Sequence, residues 1–146
     1  MTATRAIVPG PARTTTPAGT AGMTDGVVRT WLRLEGLAAF GAGLVLFGAS
    51  GSNWLLVVPL ILLPDISAIG YLAGPRVGAF TYNLFHNLVP GVLTLGLAAW
   101  LASPAFLVAA AVLIAHVGMD RAVGYGLKLP SSFQDTHLGR MRRAKD

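Results

Sequence analysis

The chain is 146 residues long, 53% hydrophobic and only 12% charged, with a net charge of +5 and no cysteine. That length admits one domain with a few apolar spans, and that composition excludes an ordinary soluble domain. Without cysteine there is no disulfide framework, no thiolate nucleophile and no thiolate-bound zinc, so carboxylates and imidazoles carry whatever chemistry is present.

Residues 1–30 are rich in Thr, Ala, Gly and Pro and lack helical periodicity, so they are expected to form a disordered cytoplasmic arm. The first apolar segment follows, from Trp31 to Ala49, flanked by Arg29 and Arg33 and closed by the turn-like run Gly48 to Ser52. Its outline also fits a signal peptide, but Glu35 opens its core and three further spans follow. The second segment, Asn53 to Ala73, contains Pro59 and Pro64 and ends at Gly74-Pro75-Arg76. The third runs from Val77 to Leu101 and the fourth from Ala105 to Gly124, joined as an antiparallel hairpin by Ser103-Pro104. Each is close to the roughly 20 residues that cross a bilayer core, so residues 31–124 are expected to be an all-α, four-helix transmembrane bundle.

Charge orients this bundle. All eleven Lys and Arg residues fall in the N-terminal arm and first turn, at Arg76, or from Arg121 onward, and none falls in the first or third connection. The positive-inside rule therefore puts both termini in the cytoplasm, in a multi-pass protein of the cell (inner) membrane. The basic tail of Arg140, Arg142, Arg143 and Lys145 reads as a contact with anionic lipid headgroups rather than with nucleic acid.

Five ionisable side chains interrupt the apolar segments: Glu35, Asp65, His86, His116 and Asp120. At about 1.5 Å per residue, Asp65, His86 and His116 lie roughly 12 Å from the cytoplasmic ends of their helices, and Glu35 and Asp120 roughly 6 Å. A charge at the centre of a membrane helix costs about 2.5 to 3.5 kcal/mol to insert, whereas an interhelical polar contact returns about 0.6 kcal/mol. Structural glue alone is therefore a poor reason to keep all five, and one polar funnel open to the cytoplasm is the simplest alternative. Each member also has a structural reading. Glu35 beside Arg33, and Asp120 beside Arg121, suit interfacial ion pairs. Asp65 follows Pro64, which frees backbone groups. His86 shares a polar stripe with Tyr82, Asn83 and Asn87.

His116 and Asp120 are four apart and share one helix face. The pair suits either a carboxylate orienting an imidazole for proton transfer, with Asp65 and Glu35 as candidate proton donors, or two ligands of one metal. Adding Asp65 and His86 makes a two-nitrogen, two-oxygen set acceptable to Zn, Mn or Fe, although no His-Glu-x-x-His pattern is present. Tyr71, Tyr82, Asn83, Tyr125 and Lys128 are the expected substrate-binding residues. The last segment, 125–146, is expected either to fold over the cytoplasmic mouth as a lid or to anchor on the lipid surface through Phe133 and Leu138, with Asp135, His137 and Lys128 near incoming polar groups.

These strings resemble a family of small bacterial integral-membrane proteins known as domain of unknown function 4260. The resemblance spans about Arg33 to Arg140 and rests on Leu63-Pro64-Asp65-Ile66-Ser67, Gly70 to Arg76, Tyr82-Asn83 with His86, His116 with Asp120-Arg121, Gly124 to Lys128, and Asp135 to Arg140. It implies membrane insertion and no particular activity. A fainter similarity is to membrane-bound metal-dependent hydrolases, which also pair Leu-Pro-Asp with a later His-x-x-x-Asp but carry earlier paired histidines that are missing here.

Three functions follow as expectations. The first is an intramembrane enzyme acting on a lipophilic small molecule by acid/base chemistry, cyclase- or isomerase-like and without a firmly required cofactor, with hydrolysis at a divalent metal as its alternative. The second is a proton-linked transporter subunit; four helices without an internal repeat argue against a lone transporter, though a homo-oligomer could manage. The third is a non-catalytic membrane partner.

Overall fold

The structure is a computed structural model that describes residues 21–141. It is mostly helical, and four helical stretches are long and apolar enough to cross a membrane: Gly26–Ala49, Trp54–Ala73, Pro75–Leu101 and Pro104–Val123. Helix α1 covers Ala21–Ala49, so residues 21–30 of the expected disordered arm are helical; the rest of that arm lies outside the described residues.

The second span is not one α-helix. A 3-10 turn, Trp54–Leu56, leads into the short α2, Val57–Ile61, and then into a 3-10 segment of 11 residues, Leu63–Ala73. Pro64 accounts for the change, because its ring and missing N–H prevent the α-pattern from continuing. The Asp65 N–H bonds instead to the Leu62 carbonyl at 3.2 Å. With three residues per turn, side chains stack in columns. Leu63, Ile66, Ile69 and Leu72 form one column, all exposed toward the expected lipid. Asp65, Ala68 and Tyr71 form another, which puts the carboxylate and the tyrosine on one face.

The third span is interrupted as well. Helix α3 covers Pro75–Phe85 and α4 covers Leu88–Leu101, with His86 and Asn87 in the break. Pro90 explains the position: it has no N–H for the His86 carbonyl four residues earlier. Asn87 closes the gap by accepting from Val89 N–H at 2.8 Å and donating to the Asn83 carbonyl at 2.6 Å.

Helix α5, Pro104–Val123, is the hub of the bundle and packs against α1, α4 and α2. Its run from Ala110 to Gly118 is almost wholly buried. Glycine permits the closest approach: a Cβ on Gly118 would strike the Phe40 backbone, and one on Gly43 would lie 2.5 Å from the Ala115 nitrogen. In the expected lipid setting apolar side chains gain little by leaving lipid for protein, so such backbone-to-backbone contact would carry the packing. Lower in the bundle, Phe47 packs with Ala111 and Val112 and meets Trp54 at 5.5 Å between ring centres.

The all-α expectation needs one correction. After Gly124 (φ 97) ends α5, the chain forms a small antiparallel sheet of β1 (Lys128–Leu129), β2 (Ser132–Thr136) and β3 (Gly139–Arg140), in that order. The sheet packs on α3, where Asn83 exchanges two hydrogen bonds with the Lys128 backbone, at 2.7 and 2.8 Å.

Candidate functional site

Four of the five ionisable residues in the apolar segments converge. Asp65 comes from the 3-10 segment, His86 from the α3–α4 break, and His116 and Asp120 from one face of α5. His86 Nε2 lies 3.2 Å from Asp65 Oδ1 and 4.0 Å from Asp120 Oδ2, and His116 Nε2 lies 3.7 and 3.9 Å from the same two oxygens. The imidazole rings meet edge to face with centres 4.7 Å apart. Both histidines are about 1% exposed, whereas half of the Asp65 side chain is open, so the cluster is reached from the Asp65 side.

The backbone determines which nitrogen of each ring faces this centre. His116 Nδ1 lies 2.6 Å from the Ile61 carbonyl, and His86 Nδ1 lies 2.8 Å from the Tyr82 carbonyl. A carbonyl only accepts, so each Nδ1 carries a proton and donates it. In the neutral rings both Nε2 atoms then present lone pairs to carboxylate oxygens that also present lone pairs. Four acceptors facing one another repel unless a cation, whether protons or a metal, lies among them. Among the described residues, His116 Nε2 is buried with no hydrogen-bond partner.

The two prolines make this arrangement available. Pro64 has no N–H to give the Ile61 carbonyl three residues back, and Asp65 N–H goes to Leu62, so the Ile61 carbonyl is left for His116. Pro90 likewise frees the His86 carbonyl, which accepts from Arg121 Nη2 at 3.2 Å. The second Arg121 nitrogen donates to the Tyr125 carbonyl at 2.6 Å. Arg121 thus ties the helix break to the end of α5, a role hidden in sequence by its neighbour Asp120.

A metal ion is compatible with the donor set. Asp65, His86 and His116 each offer one ligand atom, all within 4.8 Å of one another. In a tetrahedral site with bonds of about 2.0 to 2.1 Å, ligand atoms sit about 3.3 Å apart. The four nitrogen–oxygen separations are 3.2, 3.7, 3.9 and 4.0 Å, one near that spacing and three wider, so the set would close on one ion only by contracting. A metal-bound histidine usually donates its other ring N–H to a carbonyl or carboxylate, and both histidines here do so. Tyr82 supports the fourth donor by donating its hydroxyl to Asp120 Oδ2 at 3.2 Å while its ring stacks on His86, 3.4 Å between centres.

The remaining expected residues divide. Glu35 is exposed on α1 and lines a separate groove with Asn87 and Arg121; it is not brought to the cluster. Tyr125 is 47% exposed and contributes its backbone to the end of α5. Asn83 uses its side-chain amide to hold β1. Tyr71 has a buried hydroxyl with no hydrogen-bond partner among the described residues, and its ring meets Phe133 edge to face at 5.2 Å. Lys128 is only 3% exposed; its ammonium lies 3.9 Å from the Phe133 ring centre and 5.0 Å from that of Tyr82. Burial pushes the Lys128 ammonium below its usual pKa, and nearby Asp120 and Asp65 oppose that shift. His137 faces its own loop, accepting the Leu127 N–H at 2.8 Å, and Asp135 accepts from the Ser131 hydroxyl. The Ile61 carbonyl is the group that sequence reading passed over, although Pro64 three residues later was its signal.

A family model described as a domain of unknown function (DUF4260) matches residues 29–141. No curated protein and no solved structure matches the chain.

Proposed function

Because the chain belongs to the DUF4260 family, whose description carries no activity, we propose its function from the cluster itself: a multi-pass membrane enzyme that hydrolyses a polar bond in a lipophilic molecule at a divalent metal. The observation that carries this reading is the pair of Nδ1–H donations to backbone carbonyls, which aim two imidazole lone pairs at the same two carboxylate oxygens. A bound Zn, Mn or Fe would supply a Lewis acid and an activated water. His86 and His116 would hold it through Nε2, and Asp65 and Asp120 through one oxygen each. Tyr82 orients the Asp120 carboxylate. The open side of Asp65 is where water and substrate reach the centre.

Both termini are cytoplasmic in this proposal, since Arg29, Arg33, Arg76, Arg121 and Lys128 gather at one end of the bundle. Arg33 lies beside Gly124 and Arg29 beside Gly139. The sheet then covers the cytoplasmic mouth, at a depth where a lipid-dissolved molecule arrives sideways through the bilayer.

Metal-free acid/base chemistry, cyclase- or isomerase-like, is the second reading. It is favoured by the 3.2 Å separation of His86 Nε2 and Asp65 Oδ1, a good hydrogen bond once one proton lies between them. Elemental analysis of the detergent-purified protein, followed by chelation and cobalt titration, separates the two. One tightly held metal per chain, and cobalt absorption bands lost in His116→Ala, support the metal enzyme. Full occupancy of the membrane fraction with no metal and no cobalt bands would overturn it.

A further inference from the structure

Lys128 is the buried cation that the proposed hydrolysis does not use. The residue is 3% exposed, and its ammonium faces two aromatic rings and has the Met141 thioether sulfur at 3.2 Å as a hydrogen-bond partner. A thioether is a weak acceptor, and the ring faces of Phe133 and Tyr82 attract a cation without neutralising it. The nearby carboxylates are Asp120 and Asp65. If both are committed to a divalent ion, their charge is spent, and the ammonium is left as an uncompensated positive charge in a water-poor setting. A buried charge of that kind calls for an anionic partner. The Tyr71 hydroxyl, buried with no hydrogen-bond partner among the described residues, belongs to a ring that packs on the same Phe133.

An apolar groove of about 430 Å³ runs between the 3-10 segment and α3, lined by Leu63, Pro64, Ile66, Ser67, Thr81 and Phe85. Leu63 and Ile66 belong to the outward column of the 3-10 segment, one face round from Asp65, so the groove lies on the apolar outer side of the segment that carries the half-open carboxylate. Its volume and lining suit a hydrocarbon chain.

Resting on the metal-enzyme reading, we propose that the ligand of this site is an amphiphile with a phosphate headgroup, its anionic oxygens held by the Lys128 ammonium and its hydrocarbon chain lying along the apolar outer face of the segment that carries Asp65. Lys128 thereby becomes a headgroup-binding residue and the C-terminal sheet the element that delivers it. The sheet is anchored for this purpose by the Asn83 side chain, which holds the Lys128 backbone on both sides.

The test uses the full chain in neutral detergent and three probes: dodecyl phosphate, dodecanol and inorganic phosphate. Binding is measured by calorimetry for the wild type, Lys128→Met and Lys128→Arg, and a cobalt titration of each variant is run separately. We expect dodecyl phosphate to bind more tightly than either other probe. Lys128→Met should weaken it about 10- to 100-fold, the cost of one charge-assisted hydrogen bond, and Lys128→Arg should restore most of the loss. Equal dodecyl phosphate affinity in the wild type and a Lys128→Met variant that still binds cobalt overturns the proposal. Inorganic phosphate binding as tightly as dodecyl phosphate overturns the amphiphile and makes the ligand a soluble anion. Absence of cobalt binding in the wild type defeats the metal reading alone, because dependence of dodecyl phosphate on Lys128 is read without it.

Discussion

His116 donates its Nδ1–H to the carbonyl of Ile61 at 2.6 Å, a carbonyl left open because Pro64 has no N–H to offer it. One proline thus orients an imidazole 52 residues later in the chain. Pro64→Ala restores an N–H that competes for the Ile61 oxygen and loosens the ring. Outer-shell losses of this type cost about 10- to 100-fold in metal affinity, and the low end is expected here because the ligand itself is retained. Cobalt affinity equal to the wild type in a variant that accumulates normally would show that the carbonyl does not orient His116.

His116 and Asp120 should act as one unit. His116→Ala and Asp120→Asn are each expected to remove high-affinity metal binding, and the double variant to be little worse than either single one. Membrane accumulation should hold, since removing a polar group from an apolar span lowers its insertion cost. Losses that simply add, or that track failed accumulation, would make the pair structural.

Glu35 provides the opposite control. It lies on α1 outside the cluster, so Glu35→Ala should change cobalt affinity by less than about two-fold, as expected for a site with no shared partner. A ten-fold loss would mean that the groove Glu35 shares with Arg121 communicates with the metal ligands.

Headgroup binding should depend on pH with a definite sign. Burial pushes the Lys128 ammonium below its usual pKa, so it loses its charge at lower pH than a solvated lysine. Dodecyl phosphate affinity in the wild type is therefore expected to fall as pH rises into the alkaline range, while Lys128→Arg, which stays charged, holds its affinity. Parallel pH profiles for the two proteins would sever binding from Lys128.

Topology can be tested independently. A reporter fused after Asp146 is expected to be active only as a cytoplasmic fusion partner, because the basic residues cluster at that end of the bundle. Activity of an export-dependent reporter at the same position would invert the protein, and with it the side from which the cluster is reached.

The sequence by itself determined the four apolar spans, their approximate ends, the resemblance to the family and the pairing of His116 with Asp120. These depend on composition and on spacing along one helix, which local periodicity records. It also marked Asp65 and His86 as costly in an apolar segment. Only the tertiary structure decided that Asp65, His86, His116 and Asp120 meet while Glu35 does not, since that depends on how each helix is rotated about its axis. Pro64 and Pro90 were visible as breakers, but not the side chains that would take the carbonyls they free: His116 and Arg121 lie 55 and 35 residues from those carbonyls. The burial of Lys128 was equally hidden, because a short sheet with little periodicity of its own is held in place by one asparagine on a distant helix.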